Sequence, residues 1–211
     1  MAEPAGNPQD IEIVDRRRSA RTSVSVAGRY SLAGRRNARG ERREFACRTV
    51  DISADYVALI GPVTGPVGER VIAQFEELGK LDGRIIRVFE TGFVIRLVLP
   101  DSGRAWLAAK IDWLDKHEFH NLPDDRTHKR IVPEKPHSTL LLADGTTSGC
   151  FVIDMSVAGA AVSTEITPQL GDVLAVGSVI GRVVRLFPEG FALRFMQLQD
   201  PGLLEHRLIR P

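Results

Sequence analysis

The chain repeats itself, and the repeat sets the scale of everything it can fold into. Displacing the first half by 103 positions lays Cys47, Asp51 and Ser53 on Cys150, Asp154 and Ser156, and Gly68-Glu69-Arg70-Val71 on Gly171-Asp172-Val173-Leu174. A displacement of 98 lays Gly83-Arg84-Ile85-Ile86-Arg87-Val88-Phe89 on Gly181-Arg182-Val183-Val184-Arg185-Leu186-Phe187, and the match runs on to Phe93 and Phe191. The first copy therefore holds five more residues between these landmarks, expected around Glu77–Leu81. Shared between two copies, 211 residues leave roughly 100 for each, the size of one small domain. Cys47 and Cys150 fall at equivalent positions, so each is expected on a strand of its own domain with a free thiol.

Within each copy, short runs of Val, Ile, Leu and Phe bounded by Gly and Pro recur about every ten residues, the pattern of strands. Thr49–Ile60, Arg70–Phe75, Gly83–Phe89 and Phe93–Val98 are the runs of copy one; Phe151–Ser163, Val173–Val176, Gly181–Phe187 and Phe191–Met196 are those of copy two. Glu90-Thr91-Gly92 and Pro188-Glu189-Gly190 read as hairpin turns in which glycine supplies a positive φ. Many short strands at this spacing predict a mainly β chain of two small antiparallel barrels. Asp101–His117 differs, with helical spacing of its apolar residues. Trp106, Trp113 and Leu114 fall on one side and are expected to close an end of the first barrel; Gly202–Ile209 reads as a shorter C-terminal equivalent. The expected organisation is a flexible tail over 1–14, a first module over 15–100, helix and linker over 101–121, and a second module over 122–211.

Formal net charge is +1, so no global field draws the chain to nucleic acid or membrane. The arginines are local instead, crowded into 16–21 and 35–43. The latter run, Arg35, Arg36, Arg39, Arg42 and Arg43 beside Gly34 and Gly40, reads as an exposed hairpin loop, with RNA or a membrane surface as the other partner it would suit. No apolar run approaches the ~20 residues of a transmembrane helix. The first residues lack a basic stretch followed by an apolar core, so a cytoplasmic protein is expected.

The chemistry-bearing pattern spans residues 126–159. Arg126 and Arg130 stand four apart, followed by Asp154-Met155-Ser156-Val157-Ala158-Gly159. Copy one repeats it more weakly: Arg17 and Arg21, then Asp51-Ile52-Ser53-Ala54-Asp55-Tyr56. Guanine offers acceptors O6 and N7 on one edge, which a guanidinium fork grips in bidentate fashion, while carboxylate or hydroxyl can accept from its other edge. Arginine also pairs with phosphate and stacks on bases, where lysine offers a point charge. Small residues such as Ala158 and Gly159 would let a planar base lie against the strand.

Arg-x-x-x-Arg followed by Asp-x-Ser-x-x-Gly, at the start of a glycine-punctuated β-barrel, resembles the PilZ family. The resemblance covers nearly the whole chain as two tandem copies, complete in copy two and with Tyr56 in place of the glycine in copy one. It implies six-stranded barrels and a bacterial receptor for cyclic di-GMP. By that resemblance Arg126 and Arg130 would hold phosphates and guanine Hoogsteen edges, Asp154 and Ser156 would hydrogen-bond a base, and Gly159 would make room. Arg17, Arg21, Asp51 and Ser53 form a second, weaker set; Tyr56 would fill its base site or serve there as a stacking surface. The number of ligands per site stays open.

Nothing points to catalysis. His117-x-x-His120 has no cysteine nearby and suits a helix C-terminus better than a metal; His128 between the arginines reads as a solvent-facing loop residue. Gly61–Gly68 lacks the lysine of a phosphate loop, and there is no Gly-x-Ser-x-Gly elbow. The chain is therefore expected to be a signalling receptor, not an enzyme, without metal or cofactor, in which ligand closing the arm after the linker changes how two barrels face each other and so regulates a downstream protein. The rival expectation is a ligand-independent module that docks on a motility or exopolysaccharide component.

Overall fold

The computed structural model describes residues 24–116 and 129–210; Arg17, Arg21, Arg126, His117, His120 and His128 lie outside them. The first half forms β1 (Ala27–Arg36), β2 (Arg42–Ile52), β3 (Tyr56–Ile60), β4 (Arg70–Phe75), β5 (Gly79–Phe89) and β6 (Gly92–Leu97), then helix α1 (Asp101–Lys116). The second forms β7 (His137–Leu141), β8 (Thr147–Ser156), β9 (Gly159–Ser163), β10 (Val173–Val176), β11 (Val179–Phe187), β12 (Gly190–Phe195) and helix α2 (Leu204–Leu208). Each set closes into an antiparallel six-stranded barrel of the same order, β1-β2-β3-β6-β5-β4 and β7-β8-β9-β12-β11-β10. Closure removes sheet edges that would otherwise template aggregation. Among the described residues no helix is long and apolar enough to cross a membrane.

The expected mainly β architecture is what folds, and the departures are informative. The arginine-rich run holds the end of β1 and the start of β2: it is the tip of a hairpin whose strands belong to the barrel wall, and only the turn over 37–41 projects. Inward-facing Tyr30, Leu32, Phe45 and Cys47 supply the apolar side that the arginines mask in the sequence. The five extra residues lengthen the β4–β5 hairpin as a whole. β4 has 6 residues against 4 in β10, β5 has 11 against 9 in β11, and the turn is one residue longer. Gly92 and Gly190 do follow hairpin turns, but neither has a positive φ. A Cβ on either would sit 1.9 Å from a backbone oxygen, of Leu59 or Val162, so glycine is demanded by strands packed too closely for a side chain.

Each barrel has its own core. In the first, the Tyr30 ring packs between Phe45 and Phe93 at 5.6 and 5.2 Å while its hydroxyl donates to the Val63 carbonyl; burial drives its pKa far upward. Leu107, Ile111 and Leu114 bury one face of α1 on this core. Trp106 and Trp113, expected to line that face, are 53% and 48% exposed and point outward. The i, i+4, i+7 set of smaller residues wins because it stays on one stripe of the helix. In the second barrel Leu204 and Leu208 of α2 complete the core, and the buried Ser138 hydroxyl donates to the Leu208 carbonyl at 2.5 Å. Cys47 and Cys150 are free and buried, one in each barrel as expected; burial pushes the Cys150 thiol up to about 12 and the Cys47 thiol higher still.

The barrels touch through the outer faces of β2, β8 and β9. The Ser163 hydroxyl, fully buried, accepts from Ala46 N at 2.9 Å and donates to the Glu189 carbonyl at 2.6 Å. Arg43 Nη2 donates to the carbonyls of Thr164 and Ile166 at 2.8 and 3.0 Å, and Arg35 pairs with Glu165 at 3.0 Å. Phe151, outside the second core yet fully buried, lies beneath the Arg48 guanidinium at 5.9 Å. Two arginines of the 35–43 run are thus committed to the other barrel.

Candidate functional site

Chain enters the second barrel as an arm laid along the free edge of β8. Ile131 exchanges both backbone hydrogen bonds with Met155, at 2.7 and 2.8 Å, beyond the point where β7 has left off pairing. Two further contacts pin the arm: Glu134 N donates to Glu205 Oε1 of α2 at 3.0 Å, and Arg48 of the first barrel donates to the Pro133 carbonyl at 3.1 Å. This register sets Arg130 opposite Ser156 and diagonal to Asp154, and its Nη1 donates to Asp154 Oδ2 at 2.6 Å. The side chains are 35% and 22% exposed, so the pair is reachable from solvent. An ion pair in such a setting contributes only about 0–1 kcal/mol, which makes it easy to exchange for a better partner.

Ser156 and Gly159 flank the β8–β9 turn, and both have local work. Ser156 Oγ accepts from Ala158 N at 3.4 Å and donates to the Gly159 carbonyl at 3.3 Å, closing a tight serine turn. A Cβ on Gly159 would approach the Leu193 carbonyl oxygen to 2.4 Å. The close approach of β12 therefore accounts for glycine here, whether or not a base lies above it.

A second feature becomes visible only in the sheet. Val152 faces Val162 and Asp154 faces Ala161, so Ile153 is an extra residue bulged out of β8. Val183 faces Leu193 and Arg185 faces Ala192, so Val184 is bulged likewise out of β11. Ala161 and Ala192 pair with each other. The two bulges bring Asp154, Ala161, Ala192 and Arg185 into one cross-strand row, a small-residue floor with a carboxylate at one end and a guanidinium at the other. Arg185 carries no ion pair among the described residues; its guanidinium stands 5.6 Å from the Phe187 ring centre. The only signal for it in the sequence was its alignment with Arg87 in the repeat.

Residues 124–210 match the family model of the PilZ domain. The second barrel is a PilZ domain. Among solved structures the whole chain is similar to PlzA of Borreliella burgdorferi in complex with c-di-GMP, at 12% identity and TM-score 0.30 over 89% of this chain and 88% of that one. It is similar also to the inhibitor of motility MotI/DgrA of Bacillus subtilis, at 13% and 0.29 over 89% and 94%. A third is YcgR of Escherichia coli in complex with c-di-GMP, at 14% and 0.28 over 87% and 80%. No curated protein matches the chain.

The barrel preceding the PilZ domain carries the same row. Val50 and Ile86 are the bulged residues, and Asp51, Ala58, Val94 and Arg87 line up across β2, β3, β6 and β5. Here the row floors an open cavity of about 300 Å³, lined also by Ser53, Tyr56 and Ile86. That is the lower end of the size range for small-ligand sites. Tyr56 stands at the rim: its ring lies 5.7 Å from the Arg96 guanidinium, and its hydroxyl accepts from Arg96 at 3.3 Å. Ser53 Oγ accepts from Tyr56 N at 3.1 Å, the counterpart of the Ser156 turn. A larger cleft of about 600 Å³ separates the barrels, bordered by Arg29, Arg42, Arg43, Pro168 and Phe187. Among the described residues no group of three or more His, Cys, Asp or Glu side chains is placed to hold a metal.

Proposed function

We propose that this protein is a non-enzymatic receptor for cyclic di-GMP, which binds the outer face of the PilZ domain through Arg126, Arg130, Asp154, Ser156 and Gly159. The observation that carries the reading is the solvent-reachable Arg130–Asp154 pair, held together at the edge of a small-residue row on the outer face of the sheet. Both groups have chemistry for a guanine nucleotide: Arg130 for phosphate or a Hoogsteen edge, Asp154 for the N–H donors on the opposite edge. Ligand must part them, and the loss of about 0–1 kcal/mol is small beside charge-assisted hydrogen bonds of about 1.5–3 kcal/mol each. Ser156 contributes first by shaping the turn. The PilZ domain match and the c-di-GMP complexes of PlzA and YcgR support the ligand's identity.

Binding has a direct route to the first barrel. Arg48 grips the arm at Pro133, three residues from Arg130, and stacks on Phe151. An arm drawn over the floor by ligand pulls on that contact, and the ligand shifts the barrels by whatever preference it has for one arrangement. The first barrel then serves as the effector surface toward a downstream protein. Calorimetry tests the receptor: wild type should bind cyclic di-GMP and Arg130→Ala should not. Scattering profiles with and without saturating ligand test the coupling, and identical profiles would remove it.

A second reading, a ligand-independent docking module, is favoured by one observation. Trp106 and Trp113 present an aromatic stripe on α1, with Lys110 Nζ 4.3 Å from the Trp113 ring. Absence of calorimetric binding by wild type would leave that reading in possession.

A further inference from the structure

We propose that Arg185 is a ligand-contacting residue of the PilZ domain, and that it reads the acceptor edge of the base whose donor edge faces Asp154. The inference deepens the proposed function and rests on it.

The arm carrying Arg130 lies on one flank of β8, and β9 lies on the other. Arg130 therefore stands outside the floor, next to Asp154, while Ala161, Ala192 and Arg185 follow in order away from it. A base lying on the floor with its donor edge toward Asp154 turns its other edge toward β11. Asp154 and Arg185 are separated by three strand spacings, roughly 14 Å between Cα atoms along the sheet. A purine spans that interval with a short carboxylate at one end and a long guanidinium reaching back from the other.

Three further observations agree. Neither end of the row is locked in a strong interaction: Asp154 rests on an exchangeable, part-exposed pair, and Arg185 rests beside Phe187 on its own strand. The row has alanine at both middle positions, Ala161 buried and Ala192 half-buried, so no long side chain of its own stands between a flat ring and the sheet. In the first barrel the matching row, with Arg87 at its end, does floor an open cavity. Both barrels reach this geometry by bulging the same two strands at the same place. Were the strands regular, Asp and Arg would fall on different rows.

The readout is base discrimination. Guanine O6 and N7 both accept from a guanidinium, whereas adenine puts an amino donor where O6 stands. Affinities for cyclic di-GMP and cyclic di-AMP would be measured by calorimetry on the full chain, for wild type, Arg185→Ala, Arg185→Lys and Arg87→Ala. Arg185→Ala should weaken cyclic di-GMP roughly 5- to 150-fold and narrow the guanine preference by a similar factor. Arg185→Lys should keep part of the affinity and lose part of the preference, since it retains charge without the fork. Arg87→Ala should leave the PilZ-domain affinity unchanged. Equal losses for both nucleotides, or no loss at all, would overturn the assignment of Arg185 alone. Failure of the wild type to bind cyclic di-GMP would overturn the proposed function itself. Arg185 is exposed, and melting curves matching wild type would show that the variants fold.

Discussion

In the first barrel the position facing Arg96 is Tyr56, stacked beneath that guanidinium; in the PilZ domain the position facing Arg194 is Gly159, pressed against the Leu193 carbonyl. Strand order, bulges and the serine turn are shared, and so is the row from carboxylate to arginine. The platform belongs to the barrel as such, and what sets the two copies apart is what borders it. Tyrosine at the rim leaves the cavity of the first barrel open. In the second barrel Arg130 of the arm is held against Asp154, and the arm itself is pinned partly by Arg48 of the first.

The comparison breaks most cleanly at its shared residue. Asp154→Asn should lower affinity for the proposed ligand by roughly 10- to 150-fold, the loss of one or two charge-assisted hydrogen bonds. Asp51→Asn, its mate in the other barrel, should leave that affinity unchanged. Titration calorimetry of both variants checks the pair; equal losses would mean that the two rows act as one site.

Much of this was legible before any fold. Two barrels were legible in the repeat because each strand's apolar positions recur in order, and Asp154, Ser156 and Gly159 stood out as candidates by type and spacing. Arg185 was hidden because a bulge alters register, and no alternation pattern in Arg182-Val183-Val184-Arg185 announces one. β1 was hidden because its outward residues are mostly polar or charged. Ser163, Arg43 and Arg48 were hidden for a different reason: their partners lie in the other copy, more than 80 positions away along the chain.

Interior fit sharpens the comparison next. Gly159→Ala drives a methyl into a backbone oxygen that has no rotamer to escape by, and should cost about 1–3 kcal/mol. Tyr56→Ala gives up a part-exposed ring contact with Arg96 and should cost under about 1 kcal/mol. Chemical denaturation of each variant measures the difference. Costs in the reverse order would show that the glycine serves a ligand and not the wall.

Removing the Ser163 hydroxyl tests the seam. Ser163→Ala leaves the Ala46 amide and the Glu189 carbonyl without their buried partner, and should destabilise by about 1–3 kcal/mol. The seam should loosen as well, which scattering would register as a more extended particle. An unchanged profile with unchanged stability would mean that the two barrels do not share this contact in solution.

The smallest effect is a pH slope at the same seam. His137 packs edge-on against Phe151 at 5.7 Å, and its Nε2 is buried with no hydrogen-bond partner among the described residues. Burial holds its pKa below the ordinary histidine range, and a hydrogen bond with the Thr91 backbone of the first barrel only partly opposes the shift. The folded state therefore prefers the neutral ring and binds fewer protons than the unfolded chain. Stability from this group is complete above the unfolded value, about 6.5, and falls as pH drops through it toward the lower folded value. Melting curves between pH 8 and 5.5 should show that decline in wild type and a shallower one in His137→Gln, which has no ring to charge. Parallel slopes would mean that the ring is already solvated and that the seam closes without it.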